Sequence, residues 1–184
     1  MMLKKHGRLF ILGFSLLAFV ACDRADDAVE PEENELITTV SLKFTEQGTT
    51  NTQTFTYRDT DGDGGAAPSR FDNVALKPNA TYRLDVEFLD ESKNPAKNIT
   101  TEVAEEADEH LVIYTPSPAA LLTYTATDKD SKNLPIGLTG TARTGAAGTG
   151  KLRVQLRHQP GTKNGTTQPG SDDVNLEFNL TVAQ

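Results

Sequence analysis

The 184-residue chain has no tryptophan, a single cysteine and a shortage of basic charge. Each lack excludes something. One thiol, Cys22, cannot close an internal disulfide, so no covalent framework holds the fold. The longest apolar stretch, Leu9 to Val20, is interrupted by Gly13 and Ser15 and stops at about a dozen residues, where a spanning helix needs about 20. Lys and Arg number 18 against 26 Asp and Glu, a net charge of −8. Proteins that hold nucleic acid do so with basic patches that neutralise phosphates, and that function class is excluded. Catalytic signatures are also missing. There is no G-x-S-x-G elbow, H-E-x-x-H helix or Walker loop, and the glycines between Gly140 and Gly150 lead into another strand pattern, not a helix that could cradle phosphate. No enzyme is expected.

What is present begins with an address. Lys4, Lys5 and Arg8 precede the apolar run with no acid among them, which is the layout of a secretory signal. Ala21 then precedes Cys22, and Leu17-Ala18-Phe19-Val20-Ala21-Cys22 resembles the lipobox of bacterial lipoproteins, with Phe19 where Leu is usual. The resemblance implies a signal peptide over 1–21 and a mature chain starting at Cys22, anchored to the membrane by lipid on that residue. An ordinary signal peptide cut nearby, leaving the thiol free, is the competing reading. Residues 22–35 hold seven acids and one base, Arg24, with almost no bulky apolar side chain. Such a segment buries too little surface to offset its chain entropy and is expected to be a flexible tether. It resembles the acidic stretch that sends lipoproteins to the cell surface in Bacteroidota-type bacteria, a periplasm-facing outer-membrane anchor being the alternative. Loss of Lys4, Lys5 and Arg8 with the leader leaves 15 bases against the same 26 acids.

The remaining residues, 36–184, suffice for one domain with a sizeable core. Their pattern is that of strands. Leu36 to Phe44 and Thr54 to Tyr57 flank a polar turn and predict a hairpin. Phe71 to Leu76 reads as one short strand. In Thr81 to Leu89, the apolar Tyr82, Leu84, Val86 and Phe88 alternate with Arg83, Asp85 and Glu87, as in a sheet with one wet face. Leu111 to Tyr114 is continuously apolar and predicts a buried central strand. Ala119 to Ala126, Ile136 to Arg143, Lys151 to His158 and Val174 to Val182 complete the set. The one helical candidate is Asn98 to Glu109, with Asn98 or Thr100 as its cap. Eight or nine strands with one short helix predict an all-β, antiparallel, immunoglobulin-like sandwich.

Two constellations bear on chemistry. Asp59-Thr60-Asp61-Gly62-Asp63-Gly64 places carboxylates at alternate positions, a spacing that suits calcium. The twelfth position of an EF-hand loop would fall on Arg70, however, and no helix pattern flanks the run, so a plain acidic turn competes. The second is a histidine pair. His158 continues the inward parity of Leu152, Val154 and Leu156, and His110 shares a parity with Val112 and Tyr114. If the two strands are neighbours, both imidazoles reach one rim. With a carboxylate such as Asp108 they would form an N/N/O set for Zn²⁺, Cu²⁺ or iron, or they could ligate haem. Rim histidines bonded to backbone are the competing reading.

The acidic tether, Asp61 to Gly65, the run Glu105-Glu106-Ala107-Asp108-Glu109-His110 and the run Leu156-Arg157-His158-Gln159-Pro160-Gly161 together resemble a group of small lipoproteins from Bacteroidota-type bacteria. Members are sometimes labelled with a type 1 periplasmic-binding fold, which has two α/β lobes. The alternating strands here point to the sandwich. The group is also similar to lipoproteins encoded beside TonB-dependent receptors, which implies a helper in uptake across the outer membrane. The expected function is therefore capture of a metal or metal complex at the envelope for such a receptor. An immunoglobulin-like module that docks a protein partner is the alternative.

Overall fold

The computed structural model describes residues 36–62 and 65–184. Its strands arise where apolar and polar residues alternate. β1 (Thr39–Glu46) and β2 (Thr52–Arg58) form the N-terminal hairpin, followed by β3 (Arg70–Phe71), β4 (Val74–Leu76), β5 (Thr81–Asp90) and β6 (Lys97–Asn98). The helix α1 (Ile99–Glu105) leads to β7 (His110–Ser117). A 3-10 turn precedes β8 (Leu122–Ala126), and β9 (Thr139–Thr144), β10 (Gly148–His158) and β11 (Ser171–Val182) follow. One sheet has the order β3-β2-β1-β5-β9-β8, with β6 beside β5, and the other has the order β4-β11-β10-β7. The protein is an all-β sandwich with one short helix.

The strand order is that of an immunoglobulin domain. β1-β5-β9-β8 corresponds to its A-B-E-D sheet and β11-β10-β7 to its G-F-C sheet. β2, β3 and β4 are inserted between the first two strands of that scheme, and β4 runs parallel to β11. Inward residues of both sheets, among them Leu42, Phe44, Leu84, Phe88, Leu152, Val154, Leu156, Phe178 and Leu180, interdigitate as one core.

Three expectations are corrected. The stretch Phe71 to Leu76 is divided between the sheets. Asp72 accepts the Thr56 backbone N–H at 2.9 Å and its own N–H bonds back to Thr56, which ends pairing with β2. The chain then crosses to β11, leaving Phe71 edge-on between Tyr57 and Phe178. β7 is an edge strand, not a central one. Its exposed ladder is covered where Val112 N–H donates to Ile136 at 2.7 Å. Gly137 permits that close passage, because it takes a φ of +92° and a Cβ there would overlap the Val112 carbonyl. The helix is shorter than expected and Asn98 makes no side-chain cap. Thr100 instead bonds both backbone groups of Phe88, pinning α1 to β5 while Ile99 and Val103 enter the core.

Candidate metal centre

β7 and β10 are paired so that His110 lies directly opposite His158. Both belong to the inward set of their strands, so the two imidazoles meet at the end of the sandwich. Their ring centroids are 4.8 Å apart with the planes 7° from parallel. The third member comes from β11. Its pairing with β10 steps from Leu156–Val174 to Arg157–Asp172, which leaves Asp173 as the extra residue of a β-bulge. The bulge inverts the alternation. Asp172 turns to Arg157, at 2.6 Å, and Asp173 turns inward with a fully buried side chain. Asp173 Oδ2 is 3.8 Å from His110 Nε2, and one ligand atom from each of the three residues lies within 4.8 Å of the others.

The electrostatics leave this trio open to a ligand. His110 Nδ1 lies 3.2 Å from the Glu106 carbonyl. A carbonyl only accepts, so Nδ1 carries the proton and Nε2 presents its lone pair, as a metal-binding histidine requires. His110 Nε2 and both Asp173 oxygens find no hydrogen-bond partner among the described residues. Burial pushes the His110 imidazole down, against the pull of the Glu106 carbonyl, and so favours the neutral form. Burial pushes the Asp173 carboxyl up to about 6, partly offset by His158 and Arg157, with Asp172 adding to the rise. Glu106 and Glu109 stand outside the trio, with carboxylate oxygens 3.9 Å from His110 Nδ1 and 3.8 Å from His158 Nε2.

The raised carboxyl has a consequence for stability. An acid whose folded pKa lies above its unfolded value stabilises the fold when protonated, and that contribution is lost as pH rises from about 4 through about 6. In metal-free protein, Asp173→Asn should therefore raise stability at pH 7.5 by about 2–3 kcal/mol. Near pH 4 the two proteins should converge. Urea midpoints across this range give the answer, and equal midpoints at pH 7.5 would contradict the buried, unpartnered carboxylate.

The scaffold around the trio is polar and tied down. Past His158, Gln159 N–H donates to the Glu109 carbonyl at 2.6 Å, extending the link between the two histidine-bearing chains. The Gln159 side chain bonds the carbonyls of Thr166 and Pro169, each at 2.9 Å, closing the loop that returns to β11. Lys163, from the same loop, buries its ammonium against Asp130 at 2.8 Å and donates to the Ala107 carbonyl at 2.7 Å.

Other residues singled out in the sequence lie elsewhere. Asp108 is not the third ligand. Its carboxylate accepts from Ser131 N–H at 3.0 Å and Ser131 O–H at 2.5 Å, across the Asp128–Asn133 turn. Asp61 accepts the Ala66 N–H at 2.8 Å, which holds its carboxyl below the usual range. Asp59 is buried and accepts from the Tyr57 hydroxyl at 3.3 Å, while Asp63 lies outside the described residues, as do Cys22, the leader and the tether. Among the described residues, no other three His, Cys, Asp or Glu side chains converge as the trio does. Haem does not suit the pair, because axial imidazoles approach a porphyrin end-on from opposite faces whereas these rings lie face to face. The sequence pattern does not mark Asp173, because strand parity from Val174 places Asp172 inward. The doubled Asp172-Asp173 before a regular strand was the available hint.

A metal ion suits the trio with a small adjustment. Each imidazole donates in its own ring plane, so nearly parallel rings cannot both point at one ion. One must turn about its Cβ–Cγ bond, and the widest ligand pair must close by roughly 1–1.5 Å to reach tetrahedral spacing. His110 is held by its bond to the Glu106 carbonyl, and His158 stands at the rim beside Glu109. Comparison with known families, characterised proteins and solved structures finds no match to this chain.

Proposed function

We propose that this protein is a lipid-anchored envelope domain that binds a divalent transition-metal ion through His110, His158 and Asp173. The observation that carries the reading is the convergence of two imidazoles and a buried carboxylate, where His110 Nε2 and both Asp173 oxygens have no hydrogen-bond partner among the described residues. Two nitrogens and one oxygen suit Zn²⁺, Cu²⁺ or iron better than calcium, which takes oxygen ligands. Three protein ligands leave a position open for exchange, which suits a carrier better than a closed structural site. The lipid on Cys22 and the acidic tether would hold such a carrier at the outer membrane, facing the cell surface, where a TonB-dependent receptor could receive the ion.

Mature protein purified without an affinity tag should retain one equivalent of Zn²⁺ after loading and dialysis. Supporting partners of a metal ligand typically contribute 10–100-fold in affinity, so loss of a direct ligand should cost about 100-fold or more. His110→Ala, His158→Ala and Asp173→Asn should each show that loss in calorimetry, and Asp108→Asn should not. Unchanged stoichiometry in the double histidine variant would sink the proposal.

A further inference from the structure

A cavity of about 340 Å³ draws its walls from both sheets and includes Ile37, Val40, Tyr57, Asp59, Asp173 and Leu176. Its carbon surface comes from the aliphatic residues and the Tyr57 ring. Its charged groups are acids, with the Asn175 amide beside them. Asp59 is 6% exposed and its Oδ1 finds no hydrogen-bond partner among the described residues, while Tyr57 O–H on Oδ2 fixes the orientation of the carboxylate. Asp173, from the opposite sheet, brings two further unpartnered oxygens. Asp172 also borders the cavity but is paired with Arg157, and among the described residues no Lys or Arg lines it.

Carboxylates buried against hydrocarbon cost several kcal/mol unless a cation offsets them. A hard metal ion takes six or more oxygens, whereas the carboxylate oxygens without a hydrogen-bond partner among the described residues number three, Asp59 Oδ1 and the two of Asp173. An ammonium with a carbon body meets both halves of the lining. The cavity volume lies at the small end of ligand pockets, which bounds that body to roughly one ring or a short alkyl chain. We propose that this cleft binds a small primary amine, its ammonium against Asp59 and its carbon body along Ile37, Val40 and Leu176. The assignment stands independently of the metal reading, although Asp173 borders both sites. An ion on Asp173 withdraws an acceptor and adds positive charge, so zinc loading should weaken amine binding, and the amine should weaken zinc by the same factor.

The test titrates chelator-treated mature protein with phenethylamine, with phenethyl alcohol as the neutral isostere and with phenylacetate as the anion. The amine should bind at least 10-fold more tightly than the alcohol, and phenylacetate should not bind. Asp59→Asn should weaken the amine about 30-fold or more while leaving zinc retention intact. Leu36→Lys, at a half-exposed position on the rim, should supply an internal ammonium and block the amine without touching the core. Equal affinity for amine and alcohol, or full amine affinity in a folded Asp59→Asn protein, overturns the proposal. The zinc measurement reads the trio separately, so a failure of either site leaves the other result standing.

Discussion

Lys163→Met should destabilise the fold by about 3–5 kcal/mol, the range seen when one partner of a buried ion pair is removed. Both side chains of the Lys163–Asp130 pair are fully shielded from solvent, at 2.8 Å. Burial pushes the Asp130 carboxyl up, but Lys163 and the backbone N–H groups of Leu134 and Lys132 outweigh it and hold it below the usual range. With methionine in place, that carboxylate keeps two backbone donors and loses its counter-charge. The same substitution frees the Ala107 carbonyl, three residues before His110, so zinc affinity should fall together with stability. Lys163→Met/Asp130→Asn should recover much of the stability, because the uncompensated charge is then gone. Denaturant midpoints of the two single variants and the double variant form the cycle. A single variant as stable as the parent would show that the pair is not load-sharing in the fold.

Gly170→Ala should cost about 3 kcal/mol or more and abolish metal retention. Gly170 has a φ of +80°, and a Cβ there would overlap the backbone carbonyl of His158. Nothing flexible can move aside. The chain can relieve the overlap only by separating Ser171 from His158, the terminal pair of the β10–β11 ladder. That shift also pulls Asp173 from the imidazoles. Glycine at 161, where a Cβ would meet open space though φ is likewise positive, supplies the control, and Gly161→Ala should spare metal binding. Calorimetry with Zn²⁺ on both variants separates local strain from damage to the site.

Alternation was legible because it is local. In β5 every second residue from Tyr82 to Phe88 is apolar, and whatever sheet receives the strand must bury that face. The same logic gave the parity of His110 and His158, but the register that sets them opposite one another comes from the pairing of β7 with β10, since a slip of two residues would keep both inward. The edge position of β7 is hidden from the sequence for a reason of the same kind. A continuous apolar run reports burial, and burial at a sheet edge covered by Ile136 reads the same as burial at its centre. Asp72 illustrates the other limit, since its bonds to Thr56 end one strand and start a crossover that composition does not mark.

The sequence by itself determined the class of fold, one acidic β-sandwich with a minor helix, and supplied the two histidines as inward-facing rim residues. Tertiary structure alone decided which carboxylate joins them. A bulge depends on how β11 registers against β10, and that depends on the return of the 159–170 loop through Gly170, not on any property of Asp173 itself. Asp108, near His110 in sequence, was drawn away by Ser131, and Asp173, distant in sequence from both histidines, was turned toward them. Sequence periodicity specifies faces, whereas a ligand set requires positions on three strands, and only long-range pairing fixes those.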